Sequence, residues 1–425
     1  MENNYEVIIV GAGASGLIAA YEIAAAGKKV LILEARNRIG GRAHTIKSGE
    51  LFLEAGAEFV HGDLPVTLGL LDEAKIKYHK IKGKMRRSEN GRWVDDEFIE
   101  NWDELIEKMG NLKNDLPFAV FLEKYFSGDN NSELRSSATR YAQGFDLVDT
   151  NKASTKELYK EWRNEDENQY RIKKGYAELM NYLYKKIVKR GGVILTDKMV
   201  KEVEWKKNKV NILSNTNEKF TAKKLLITIP VSLMQNKNLN GSINCKPAIN
   251  ETVNTFQQIG FGAVIKILLE FKEAFWQNKK RNISMILSEQ KIPTWWAQLP
   301  EKNNLLTGWL GGPNAEEYSE LNDNEILHIA LKSLSVIFNL SIENLQEQLN
   351  AAYIFKWHTE PFSNGAYTYP MPGSKEARKK LNEPVDDTLF FAGEGLYNGN
   401  APGTVEAALI SGKKTASKIL NSLKK

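Results

Sequence analysis

Residues 5–44 read YEVIIVGAGASGLIAAYEIAAAGKKVLILEARNRIGGRAH, and the order of the parts in this stretch decides the fold. Val7 to Val10 make a short apolar strand, and Gly11, Gly13 and Gly16 then supply G-x-G-x-x-G. An apolar, alanine-rich helix follows from Ala14 and Ser15, Gly27 ends it, and KVLIL is a second buried strand with Glu34 at its end. Gly11 permits the tight turn, Gly13 lets a pyrophosphate approach the backbone, and Gly16 allows close packing of helix on strand. The helix start offers unsatisfied N–H groups and the positive end of its dipole to phosphates. Glu34 is placed to accept hydrogen bonds from a ribose. A glycine fingerprint alone would describe any tight strand–helix turn. Strand, glycines, helix, strand and acid in this order predict a dinucleotide site, without choosing between NAD and FAD.

Outward from that stretch, 425 residues are too many for one ordinary core, and two domains are expected. The net charge of +5 is spread as lysines among acidic residues, with no single-sign block. That argues against nucleic-acid binding, which needs a clustered basic stripe. Cys245 is the one cysteine, so no intramolecular disulfide forms and a reducing compartment is expected. His44, His61, His79, His328 and His358 are scattered without metal-ligand spacing, so no metal site is expected. The polar start MENNYE leads directly into a strand, and no apolar run is long enough to span a bilayer. A soluble, cytoplasmic chain without membrane partners is the expectation.

Three further segments carry a resemblance. EARNRIGGRAH, after the second strand, is similar to the E-x-x-x-x-x-G-G-R segment of FAD-containing amine oxidases. LFFAGEGLYNGNAPGTVEAALISGKKTASKIL, near the other terminus, resembles that family's F-A-G-E followed by G-T-V-x-x-A-x-x-S-G. Between them, VILTDKMVKEVEWKKNKVNIL and KKLLITIP resemble the family's adenine-side meander. The resemblance implies non-covalent FAD held by Gly11, Gly13, Ala14, Ser15, Gly16, Glu34, Ala35, Arg36, Gly40, Gly41, Arg42, Ala57, Glu58, Val200, Trp357, Gly393, Glu394, Gly403, Thr404 and Val405. It also implies an α/β fold: a discontinuous Rossmann-type FAD domain (1–63, 191–240 and 362–425) with a mixed α+β substrate domain (64–190 and 241–361).

GAVIKILLEF, residues 262–271, has strand density, and alternation places Lys266 with Val264, Leu268 and Glu270 on one face. A buried ammonium needs water, a partner or a task, and a lysine snorkelling from a strand is the plain alternative. The family carries a lysine on such a strand, bonded through water to flavin N5, and Lys266 matches it. GAEFVHG resembles the family's G-A-x-W-I-H-G, which implies that His61 lies near the flavin and hydrogen-bonds or helps deprotonate an amine. Glu58 of the same segment would contact FAD by its backbone or attract a cationic substrate. KWHTEPFSNGAYTYPMPG resembles W-x-x-x-P-x-x-x-G-x-Y, so Trp357 would line the cavity and Tyr367 would form one wall of an aromatic cage.

Two departures bear on substrate. Ala366 stands where monoamine oxidases carry the cysteine that bonds the flavin, which is why non-covalent FAD is expected. The second cage wall falls at Asn400 and Ala401, leaving the cage half open unless Tyr397 swings in. A larger or more polar amine is then allowed. No tower-like coiled coil is visible, so histone demethylation is not expected. The resemblance implies oxidation of an amine by hydride transfer to flavin N5, giving an imine and then an aldehyde, with O2 reduced to hydrogen peroxide. The alternatives are an L-amino-acid oxidase, for which Arg86, Arg87 and Arg92 are unassigned cations, a related flavin desaturase, and a non-catalytic FAD-binding protein. Oligomeric state is not legible.

Overall fold

A computed structural model of the chain describes residues 4–94, 101–164, 168–277 and 282–424. The glycine fingerprint sits where the spacing places it. Strand Asn4–Val10 runs parallel to strand Val30–Leu33 on one side and to Lys219–Ile227 on the other. Val193–Leu195 extends the sheet beyond Val30–Leu33, and Leu389–Phe391 adds, also in parallel, to Lys219–Ile227. The antiparallel strands Lys209–Ser214 and Val200–Lys206, then Asn244–Lys246, complete this eight-stranded sheet.

Val7, Ile8 and Ile9 are fully buried, as continuous apolar runs in a doubly covered parallel sheet require. Each such side chain contributes roughly 1.5–3 kcal/mol of burial free energy. Alternation divides them: Val7 and Ile9 face a core with helix Ala14–Ala25, while Ile8 and Val10 face the core under the antiparallel strands. The long helix Val405–Ser422 crosses closely over helix Ala14–Ala25. At Gly412 a Cβ would lie 2.3 Å from the Ser15 carbonyl oxygen, so only glycine lets the helices meet here.

The second sheet has seven strands, ordered Leu349–Lys356, Val264–Phe271, Leu305–Gly311, Thr294–Ala297, Ile283–Ser288, Lys84–Glu89 and Arg92–Val94. Strand Val264–Phe271 lies inside it and is buried on both faces. Ile265, Ile267 and Leu269 join the core under helix Asp323–Phe338, and Val264, Lys266 and Leu268 face the opposite way. Helices between Trp102 and Arg163 form a separate core around Phe118, Phe121 and Trp162. The architecture is thus α/β, a Rossmann-type sheet joined to a mixed α+β part.

Candidate active site

One cavity of about 2200 Å³ runs between the two sheets and the helical part. Its dinucleotide end is lined by Gly11, Gly13, Ala14, Ser15, Glu34, Ala35, Arg36, Gly40, Gly41, Arg42 and Val200. Gly16 does not line it and serves packing instead: a Cβ there would lie 2.0 Å from the Gly11 carbonyl oxygen. At Gly13 a Cβ would meet no protein atom within 4 Å, so the floor above this residue is open. Glu34 is buried, its Oε2 accepting from Ala12 N at 2.7 Å and its Oε1 from Arg36 N at 2.9 Å. Ser15 Oγ is buried at the helix start with no hydrogen-bond partner. A bare glycine floor, an orphaned hydroxyl and an acid at the strand end fit an FAD adenosine and pyrophosphate.

The arginines of this end are already engaged. Arg36 forms an ion pair with Glu360 and donates to Ser363 Oγ at 3.0 Å, while Arg42 donates to Glu394 Oε1 at 2.8 Å. Arg42 and Glu394, both expected to touch cofactor, therefore touch each other. Glu394 also accepts from Thr368 Oγ1 at 2.7 Å. Gly393 and Gly403 line the cavity together with Thr404 and Val405 at the start of the long C-terminal helix. Thr404 caps that helix, its Oγ1 accepting from Ala407 N at 3.1 Å.

Lys266 is 1 % exposed and has protein partners: Nζ donates to Glu58 Oε2 at 2.8 Å and to Gly56 O at 2.9 Å. Glu58 is also held by Arg171, whose Nη2 lies 2.9 Å from Oε1, and by Trp296 Nε1 at 3.0 Å. Burial alone would raise the Glu58 pKa, but the Lys266 and Arg171 cations outweigh it and hold the carboxyl below its usual range. This corrects the expectation that Glu58 attracts a cationic substrate: its charge is taken up by two protein cations. Other carboxylates, including Asp146 and Glu161, line the same cavity.

Tyr367 lies against Gly403, where a Cβ would come within 3.0 Å of its ring, and its hydroxyl donates to Phe145 O. Burial, reinforced by Asp146, Glu161 and Glu394, raises that phenol far above its usual range, so it stays protonated. Trp357 is buried, donating from Nε1 to Ala55 O at 2.9 Å. His61 packs edge-on to Phe145 with ring centroids 5.9 Å apart, and burial pushes its pKa down to about 4. Burial therefore keeps the imidazole neutral at pH 7. Tyr397 lines the cavity but is folded onto its own loop, so that a Cβ at Gly399 would lie 2.1 Å from its hydroxyl. Asn400 and Ala401 line the cavity as well.

Sequence reading missed Arg171 and Trp296. Arg171 stands in the short strand Gln169–Ile172, which carries no motif, and Trp296 in Thr294–Ala297 reads as an ordinary core tryptophan.

A Rossmann-type cradle continuous with an aromatic-walled cavity defines a dinucleotide-dependent enzyme site. The profile of the family described as "Flavin containing amine oxidoreductase" matches residues 14–94 and 113–420. The human protein "Lysine-specific histone demethylase 2" is 26% identical over 452 residues, covering 98% of this chain and 53% of that protein. "Probable polyamine oxidase 4" of Arabidopsis thaliana is 25% identical over 450 residues, covering 97% of this chain and 86% of that protein. The chain thus spans about half the length of the first of these relatives. Putrescine oxidase solved with bound putrescine superposes with a TM-score of 0.83 at 19% identity, over 98% of this chain and 99% of that one. Cyclohexylamine oxidase from Brevibacterium oxydans gives 0.82 at 19% identity, over 99% and 100%. These two structures share the fold. The chain belongs to the flavin containing amine oxidoreductase family.

Proposed function

We propose that the protein is an FAD-dependent amine oxidase that acts on the carbon bearing the amine nitrogen and uses O2 as electron acceptor. The observation that carries this reading is the convergence of the dinucleotide cradle, Tyr367 and the Lys266–Glu58 pair on the walls of one cavity. FAD bound there supplies two-electron oxidation of the amine, and dioxygen restores it with release of hydrogen peroxide. Trp357 and Tyr367 present an apolar, electron-rich wall that holds an amine and excludes water around it. Neutral His61 orients the nitrogen by a hydrogen bond, and the amine's proton leaves to solvent. The cavity's carboxylates draw a cationic substrate in. FAD is held without a covalent bond: Ala366 has no nucleophile to offer, and Cys245 is not among the residues lining the cavity.

The substrate class is a primary amine or a polyamine, in keeping with the names of the oxidase relatives. The L-amino-acid reading needs a cation for the α-carboxylate. Of the three arginines named for that role, Arg86 and Arg87 line the cavity and Arg92 does not, and Arg87 pairs with Glu89 at 3.0 Å.

The test is anaerobic mixing of the yellow protein with monoamines, polyamines, L-amino acids and a methyl-lysine peptide. Bleaching of the flavin band by an amine, with colour and peroxide appearing on admission of air, is the expected result. Bleaching by amino acids alone would move the assignment to the carboxylate-binding oxidases, and bleaching by the peptide alone to demethylation. Bleaching by dithionite but by none of these compounds would overturn the amine reading.

A further inference from the structure

Three buried charges stand together on one part of the cavity wall. Lys266 alone would present one cation; Glu58 Oε2 at 2.8 Å cancels it, and Arg171 Nη2 at 2.9 Å from Glu58 Oε1 restores it. We propose that Arg171 is a positioning residue that keeps the Lys266–Glu58 pair net positive, so that the wall of the flavin cavity stabilises negative charge despite its buried carboxylate. The inference rests on FAD occupying this cavity.

The side chains of Arg171, Glu58 and Lys266 are 7%, 3% and 1% exposed, so their net charge is weakly screened by solvent or salt. Two cations on one carboxylate leave a formal surplus of +1 in a poorly solvated place. Aromatic faces meet part of that cost: the Arg171 guanidinium lies 5.0 Å from the Phe59 ring centroid and the Lys266 ammonium 5.4 Å from that of Trp296. Arg171 Nη1 reaches only a distant carbonyl, Leu299 O at 3.4 Å, and Arg171 Nε is buried with no hydrogen-bond partner. The next buried carboxylate, Glu54, accepts from Tyr176 N and from Thr45 Oγ1 instead of bonding either cation. Burial outweighs the through-space lowering of the Glu54 pKa by Lys266 and keeps that carboxyl mostly protonated below about pH 7. The triad keeps its surplus there, which suits a cavity whose occupant becomes anionic on reduction.

The triad is also tied to the cradle. Lys266 holds Gly56 O, and Ala57 N donates to Arg42 O at 3.0 Å, which fastens this segment to Gly40–Arg42. Charges on so short a tether act on the group bound in the cavity without waiting for any rearrangement.

The test uses flavin-loaded protein and two readouts that need no substrate: the flavin midpoint potential, and the Kd of sulfite from bleaching of the flavin band. Counting charges, Arg171→Gln leaves 0, the wild type +1, Glu58→Gln +2, and the double variant +1. Arg171→Gln is expected to lower the potential and weaken sulfite by about tenfold, and Glu58→Gln to shift both in the opposite direction. The double variant returns towards the wild type, and Arg171→Lys stays near it. Should Arg171→Gln fail to fold, Glu58→Gln, Arg171→Lys and the double variant still order the charges. An unchanged potential in Arg171→Gln, or single variants that shift the same way with a double variant that is worse, would overturn the inference and leave Arg171 a purely structural arginine. Wild-type protein that takes up no flavin would overturn the FAD reading as well, whereas flavin uptake without the charge ordering overturns the inference alone.

Discussion

Lys266 Nζ lies 2.8 Å from Glu58 Oε2, although the two residues are 208 positions apart in the sequence, and both side chains are buried. The pair joins the second sheet to the segment between strands Leu51–Glu54 and Phe59–His61, so it is a contact of architecture as well as of chemistry. Removing one partner of a buried pair costs more than the pair contributes, because the other charge stays behind without its counter-ion.

Lys266→Met tests this directly. Glu58 keeps Arg171 and Trp296 on Oε1 but loses its partner on Oε2. Denaturant unfolding of the variant is expected to show a loss of about 3 kcal/mol. Stopped-flow reoxidation of its reduced flavin by O2 should slow by at least about tenfold, since a fixed cation near a group gaining charge contributes this much or more. Reoxidation at the wild-type rate would remove Lys266 from the proposed chemistry.

Two glycine substitutions separate cofactor binding from folding. Gly13→Ala adds a methyl group where no protein atom lies within 4 Å, so the apo-protein should melt as the wild type does while FAD binding weakens. Gly16→Ala drives a Cβ to 2.0 Å from the Gly11 carbonyl oxygen, so that variant should lose thermal stability and flavin together. Apo-protein melting and the flavin-to-protein absorbance ratio read out both. If Gly13→Ala retains FAD fully, the pyrophosphate does not pass over this residue.

Tyr367 carries a ring and a hydroxyl with different tasks. Tyr367→Phe loses the bond to Phe145 O and should cost about 1 kcal/mol of stability, with kcat/KM for an amine changed less than about threefold. Tyr367→Ala removes the wall and should lower kcat/KM by about tenfold or more, the scale of a desolvated cation–π contact. Equal effects of the two substitutions would assign the role to the hydroxyl.

Glu54 supplies a pH signature. Burial, the largest influence on it, raises its pKa from 4.5 to about 7, although it accepts from Tyr176 N and Thr45 Oγ1. A carboxyl with a raised folded-state pKa binds its proton more tightly when folded, so stability falls as pH rises from about 4.5 to about 7 and then levels. The stability of the wild type relative to Glu54→Gln should decline across that window by up to about 3 kcal/mol. His44 and His61, whose pKa values burial lowers to about 4, slope the other way, so the difference between the two proteins is the quantity to measure. A flat difference would mean that Glu54 is ionised at little cost.

The dinucleotide end was legible because its determinants are local. Gly11, Gly13 and Gly16 act within a single turn and Glu34 ends the very next strand, so their order along the chain is their order in space. The alternation that set Lys266 apart from Ile265 and Ile267 likewise survives in the strand, where the odd-numbered residues enter the core under helix Asp323–Phe338. Tyr397 was beyond such reasoning, because only the path of its loop folds the ring over Gly399.

By itself the sequence determined the cradle, the paired glycine segments at both ends and a lysine that had to find a partner. Backbone conformation and burial period are properties of neighbouring residues, and neighbouring residues are what a sequence displays. Only the tertiary structure decided that Lys266 meets Glu58, that Arg171 comes from an unremarkable strand to share that carboxylate, and that Trp296 reaches it across 238 residues. Charge pairing in a buried wall is set by which strands pack together. That choice is made by the whole core, since each ion is tolerated only where distant elements bring its counter-charge within hydrogen-bond reach.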